Sequence, residues 1–131
     1  MKKTKNPALI TIWIVLFCLS TFSLVIAQEK KYEGLLGTWD VETESGQYSF
    51  VFTFSMENGT LKGIFSGTSG EDNMENINYE DNKLTFTVNV DASGQSLAID
   101  FSVTIKGETM EGMLSLEYGE SNINGKKREI S

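Results

Sequence analysis

The sequence predicts an all-β fold: a single antiparallel up-and-down β-barrel of about eight strands, placed after an N-terminal signal peptide. Three observations carry this expectation. From Gly37 onward apolar and polar residues alternate with period two, which gives a sheet one buried face and one wet face. The alternating runs are joined by short turns such as Ser45-Gly46, Asn58-Gly59, Asp81-Asn82 and Ser93-Gly94, residues that tolerate the backbone conformations a tight hairpin requires. The chain's sole proline is Pro7, and no segment after the leader sustains a 3.6-residue apolar period. Short hairpin links favour an up-and-down barrel over a Greek-key sandwich, and closure would remove exposed strand edges.

The elements follow in order. Residues 1–7 are basic through Lys2, Lys3 and Lys5, and residues 8–19 are apolar except for Thr11. Ser20, Thr21 and Ser23 loosen the run before Val25-Ile26-Ala27. This is the layout of a secretory signal with cleavage after Ala27. An uncleaved anchor is the alternative, because residues 8–27 just span a bilayer at about 1.5 Å per residue. Phe17 is too bulky before Cys18 for a lipoprotein start. In either case the lysines stay inside and the rest of the chain faces out. The expected location is therefore exported: periplasmic, extracellular or on the outer surface, with membrane contact only transient through the signal.

Residues 28–36 form a charged lead-in with room for one helical turn around residues 33–36. Strands are expected at 37–44, 47–56, 60–67, 73–80, 83–91, 95–106, 109–117 and 120–129. Alternation is cleanest where Phe50, Phe52 and Phe54 interleave with Val51, Thr53 and Ser55, and where Leu97, Ile99, Phe101, Val103 and Ile105 interleave with polar neighbours. A weak repeat relates residues 60–66 to 109–115, with Gly63 and Gly112 at matching positions. Glycine inside a strand marks a bend or a close approach, and a barrel needs such bends.

Charge and composition exclude much chemistry. The whole chain carries −7 from 11 basic and 18 acidic residues, and three of the basic residues precede residue 28. The exported part thus carries 8 − 18 = −10. Such a domain is a poor partner for nucleic acid, whose affinity rests on Lys and Arg at phosphates. There is no His, and the one Cys is Cys18 in the leader. No disulfide framework, Cys/His metal site, His-dependent triad or thiol nucleophile is available to the exported part. No cofactor, metal or catalytic residues are expected, and the chain is not expected to be an enzyme.

Two acidic groups were natural candidates for chemistry. Glu71, Asp72, Glu75, Glu80 and Asp81 cluster with several asparagines and offer oxygen ligands of the kind Ca²⁺ takes. They lack the order of a calcium loop, and a solvated acidic hairpin is the simpler reading. Asp40, Glu42 and Glu44 alternate with Trp39, Val41 and Thr43, so they lie on the wet face, where nothing would raise a carboxylate pKa for acid catalysis. Asn58-Gly59-Thr60 fits a glycosylation sequon and also a hairpin turn, and the turn is preferred.

At Gly37-Thr38-Trp39 the sequence resembles the calycin superfamily, in which a Gly-x-Trp opens the first strand and a basic residue closes the last. The basic residue here would be Arg128, with Lys126 and Lys127 as substitutes. The body of the chain, residues 34–129, is similar to small exported bacterial lipocalin-like domains. The resemblance implies that Arg128 packs across Trp39 and closes one barrel end, as a cation–π contact would. It departs from avidins, having only Trp39 after the leader, and from fatty-acid-binding barrels, having no second arginine. It also implies a ligand cavity, for which Phe52, Phe54, Phe65, Phe86 and Phe101 are the candidate lining. Tyr48, Tyr79 and Tyr118 are expected on the same faces towards strand ends.

An eight-stranded barrel either fills with side chains or holds one small ligand. The expected function is an exported binding module for a small apolar molecule. The alternative is a non-enzymatic structural or interaction domain with a filled core, acting through its acidic surface. The sequence names no protein partner.

Overall fold

The computed structural model describes residues 30–68 and 70–129. The signal peptide expected at residues 1–27 lies outside them. Residues from Tyr32 onward belong to one compact unit, and among the described residues no helix is long and apolar enough to cross a membrane. Residues 30–32 are helical, and nine strands follow: β1 (Gly37–Thr43), β2 (Ser49–Glu57), β3 (Thr60–Gly67), β4 (Gly70–Asn73), β5 (Glu75–Glu80), β6 (Lys83–Ala92), β7 (Gln95–Lys106), β8 (Thr109–Leu116) and β9 (Gly119–Lys127).

All nine form one antiparallel sheet in the order β4-β3-β2-β1-β9-β8-β7-β6-β5. The all-β, antiparallel expectation holds, and seven of its eight expected strands lie within two residues of the observed bounds. Two features differ. The strand expected at 73–80 is two strands, with Met74 between them. The sheet is also not closed into a barrel: β4 and β5 are its edges, and no ladder joins them.

Both differences have one cause. The segment 70–80 pairs with β3 through its first half, from Gly67↔Gly70 to Ile64↔Asn73. Its second half pairs with β6, from Glu75↔Thr87 to Glu80↔Lys83. At the changeover Asn76 takes a positive φ of 55°, and the β5–β6 register slips between Glu75 and Asn78. Such a bulge bends its strand and interrupts pairing. Gly70-Glu71-Asp72-Asn73 has no apolar alternation, so period two could not reveal β4.

The sheet nevertheless rolls strongly onto itself. Phe52 on β2 lies 5.2 Å from Phe86 on β6 and 5.3 Å from Phe101 on β7, ring centroid to centroid. In a flat sheet of this order β6 and β7 would lie five and four places from β2. Glycines permit the roll. A Cβ on Gly112 would meet the Ser102 carbonyl oxygen at 2.0 Å and Val103 Cα at 2.6 Å, both backbone atoms. One on Gly63 would meet Met74 Sδ at 2.4 Å. Gly63 stands opposite Phe54 in the β2–β3 hairpin, and Gly112 opposite Val103 in the β7–β8 hairpin. The two copies of the repeat therefore place glycine where strand backbones or side chains come closest.

The core follows the predicted faces. Trp39, Val41, Phe52, Phe54, Phe65, Leu84, Phe86, Val88, Ile99, Phe101, Val103 and Leu114 are buried, while Phe50, Leu61, Ile77, Leu97 and Leu116 pack against them. Tyr79 is buried as well. The expectation for Tyr48 and Tyr118 is corrected: they are 57% and 76% exposed. Tyr118 falls in the turn between β8 and β9, and Tyr48 precedes the first ladder pair of β2, so neither is held to an inward face. Leu35, Met74, Val90, Ile105, Met110 and Ile123 complete the buried hydrophobic core.

The glycine geometry leads to a direct test. Replacing Gly112 with Ala should cost about 1–3 kcal/mol or more, because the obstructing atoms are backbone and the strands must separate. Gly119→Ala should lie within about 0.5 kcal/mol of the parent, since nothing stands within 4 Å of its Cβ position. Urea denaturation of the two variants measures the difference.

Candidate functional site

The five phenylalanines singled out as a cavity lining do come together. Phe52 touches Phe54, Phe65, Phe86 and Phe101 at centroid separations of 6.4, 6.1, 5.2 and 5.3 Å. Phe86 stacks on Phe101 at 4.8 Å with 17° between the planes. Phe65 reaches Phe101 at 5.7 Å, and Phe54 reaches Phe86 at 6.2 Å. None of the five is more than 2% exposed. The separations span the range in which aromatic pairs attract beyond their area burial. These rings pack against one another across the interior.

Strand parity explains the convergence. Phe52 and Phe54 are two residues apart on β2, Phe65 stands opposite Phe52 on β3, and Phe86 stands opposite Phe101 on β6 and β7. Directly opposed residues of an antiparallel pair share a face, so each strand pair presents its rings inward. A further ring, half-buried Phe50, lies 5.2 Å from Phe65 and 6.3 Å from Phe101.

One end of the rolled sheet is covered by the lead-in. The Leu35 and Leu36 amides donate to the Tyr32 carbonyl at 2.8 and 3.0 Å, which turns the chain and directs Leu35 into the core at 0% exposure. The buried Trp39 ring donates its Nε1–H to the Leu35 carbonyl at 2.9 Å, satisfying an indole donor that burial would otherwise leave costly. Tyr32 stands 6.0 Å from Tyr79. Burial pushes the Tyr79 phenol pKa above its ordinary value, and its hydroxyl donates to Asn82 Oδ1 at 3.2 Å.

The cation over Trp39 is Lys127, with Nζ 5.6 Å from the ring centroid. Register gives the reason. Trp39 is directly opposite Lys127 in the β1–β9 ladder, so both side chains leave the same face of the sheet. The Lys127 ammonium also donates to the Gly34 carbonyl at 3.3 Å, tying the lead-in to the last strand. Arg128, one residue on, points to the other face. Its Nε and Nη2 donate to Asp40 Oδ2 and Oδ1 at 3.1 and 2.5 Å. The contact expected of Arg128 is thus made by Lys127, one of the two named substitutes. The Arg128 guanidinium, by hydrogen bonding and by its charge, holds the Asp40 carboxyl below the ordinary Asp value.

The outer face carries the acids. Asp40, Glu42 and Glu44 are all exposed. With Ser49, Val51, Ser66, Thr109, Glu111, Asn124 and Lys126, Asp40 and Glu42 border a shallow groove of about 830 Å³ that runs over β3, β2, β1, β9 and β8, and Val41, Phe50 and Met110 also line it. Lys106 pairs with Glu111 beside it. The acids expected to share one hairpin are divided between the two sheet edges: Glu71 and Asp72 on β4, Glu75 and Glu80 on β5. Among the described residues no group of three or more carboxylates is close enough to hold a metal ion. Asn58 (φ 53°) and Gly59 (φ 77°) form the two-residue link of the β2–β3 hairpin, closed by Glu57↔Thr60.

Comparison with protein-family models, curated proteins and solved structures finds no match to this chain.

Two substitutions separate the roles of the neighbouring cations. Arg128→Ala should return the Asp40 midpoint to its ordinary value in a carbon-13 NMR titration and leave Trp39 emission unchanged. Lys127→Met should alter Trp39 emission and leave the Asp40 midpoint low. The sign for stability follows from the lowered pKa: the pair contributes above the unfolded-chain value, near 3.8, and its contribution is lost as pH falls through the lower folded value. Because both side chains are 55% exposed, salt should weaken the effect.

Proposed function

We propose that this chain is an exported, non-enzymatic domain of lipocalin-like type that has a filled core and acts through its acidic exterior. The observation that carries the reading is the phenylalanine cluster: five rings from β2, β3, β6 and β7 in mutual contact, none more than 2% exposed. Rings in contact with one another leave their facing surfaces to each other and not to a ligand. The net charge of −10 after the leader, with no His and no Cys, supports the choice of surface recognition over catalysis. Export rests on the leader sequence, and the lipocalin-like type on Gly37, Trp39 and the basic end of β9.

A second reading, carriage of a small apolar molecule, is favoured by one feature. Phe50 is only half-buried, touches Phe65 and Phe101, and is among the residues lining the groove. The ring cluster therefore reaches close to the surface there, and a ligand would have to displace rings to enter.

Native mass spectrometry of the protein recovered from its exporting host separates the two. The proposal expects a bare mass that stays bare after incubation with fatty acids and small hydrophobes. A discrete added mass, lost on organic extraction, would overturn it in favour of carriage.

A complementary prediction concerns the cluster itself. Phe52→Ala should destabilise the domain by about 3–5 kcal/mol, because the ring's transfer energy is lost and a hole is left. That hole should take up benzene, as apolar cavities do, and the parent protein should not. Thermal shift with and without benzene reads both.

A further inference from the structure

Two asparagines of the chain are followed by glycine: Asn58-Gly59 and Asn124-Gly125. Asparagine is a thermally labile residue, and a following glycine makes it more so. With no side chain and a wide choice of backbone conformations, glycine lets its own amide nitrogen reach the asparagine Cγ. Sequence alone treats the two pairs alike, and the side chains of both asparagines are exposed. The fold separates them by what it does with the glycine amide.

Asn58 and Gly59 form the exposed two-residue link between β2 and β3, with φ of 53° and 77°. Glu57↔Thr60 closes that link, so the ladder ends at those two residues and the Gly59 amide lies outside it. The tip can therefore change conformation without breaking a ladder bond.

Asn124 and Gly125 lie in β9, the middle strand of the nine. Gly125 is buried and paired on both sides, with Val41 of β1 and Met110 of β8. Further along the strand the Lys127 amide donates to the Glu108 carbonyl, and the Arg128 amide donates to the Thr38 carbonyl. Alternate residues of a strand address opposite neighbours, so Gly125, like Lys127, turns its amide to β8 and is held opposite Met110. A Cβ at position 125 would meet Met110 Cγ at 2.8 Å and Val41 Cγ2 at 2.9 Å. The backbone there has no room to swing.

We infer that Asn58 is a site of spontaneous covalent modification, deamidation through a cyclic imide, and that the β9 ladder withholds Asn124 from the same reaction. The Gly59 nitrogen gives up its proton and attacks Cγ of Asn58. The new N–Cγ bond forms, the Cγ–Nδ2 bond breaks, and ammonia leaves with the proton. Water then opens the imide. Cleavage of the N–Cγ bond leaves aspartate in an ordinary main chain. Cleavage at the main-chain carbonyl of residue 58 leaves isoaspartate, whose peptide link runs through the side chain. Water is the only reagent consumed. Either product places a new carboxylate, ionised at neutral pH, beside Glu57, and isoaspartate also lengthens the link between β2 and β3 by one carbon.

The test holds the purified full chain in mildly alkaline buffer at physiological temperature. Samples are mapped by peptide mass spectrometry, with electron-transfer fragmentation to distinguish aspartate from isoaspartate. In the folded protein Asn58 should convert to both products. Asn124 should convert more slowly by about a hundred-fold or more, because a turn opens at almost no cost while a central strand opens at close to the global unfolding free energy. In urea that unfolds the chain, the two sites should convert at similar rates. Asn58→Gln, whose longer side chain closes the ring far more slowly, should remove the acidic species that isoelectric focusing resolves in the aged parent. An Asn58 amide that lasts as long as that of Asn124 in the folded protein would overturn the inference. So would protection of Asn124 that persists in urea, or an acidic species undiminished in Asn58→Gln.

Discussion

Aromatic packing between strands far apart in the sheet is the constraint on which the rest of this structure depends. Phe52 and Phe54 come from one arm of the sheet, and Phe86 and Phe101 from the other. Their contacts hold the roll that hydrogen bonding alone does not close. Without a disulfide or a complete ladder around the roll, burial of large apolar side chains must offset the ordering entropy of the chain. The glycines at 63 and 112 serve the same end, letting strand backbones bend close enough for the rings to meet. The lead-in then seals one end: Leu35 enters the core, Trp39 donates to its carbonyl, and Lys127 reaches across to Gly34.

Filling the interior shifts the chemistry outward. Every acid of the described residues for which a position is assigned on β1, β4 and β5 is on the wet face or at an edge, apart from half-buried Asp72. The sheet also keeps two edges where a closed barrel would keep none. The acidic side chains and the bulge at Asn76 are devices by which edges avoid their own kind. One physical arrangement, a segment that changes partners at Met74, thus accounts for the missing closure and the extra strand.

Much of this was legible in the sequence. Period-two alternation and turn residues located seven strands to within two residues, because one face of each is buried and its side chains must alternate. The five rings of the core could be chosen for the same reason. What failed to show is equally physical. β4 is held by its ladder to β3 and has no apolar residue to announce it. Closure depends on which neighbour the segment 70–80 pairs with, a long-range matter that alternation does not encode. The partner of Trp39 depended on the β1–β9 register, where a one-residue step exchanges faces and gives the contact to Lys127 instead of Arg128. Leu35 and Met110 lay outside the cleanest alternating runs.

The central claim is that the interior is filled by its own phenylalanines. Xenon-pressurised crystals of the protein test it most directly, because xenon enters dry apolar holes. The account predicts no xenon site within the cluster of Phe52, Phe54, Phe65, Phe86 and Phe101. An ordered xenon atom enclosed by those rings would contradict it and return the interior to the role of a ligand cavity.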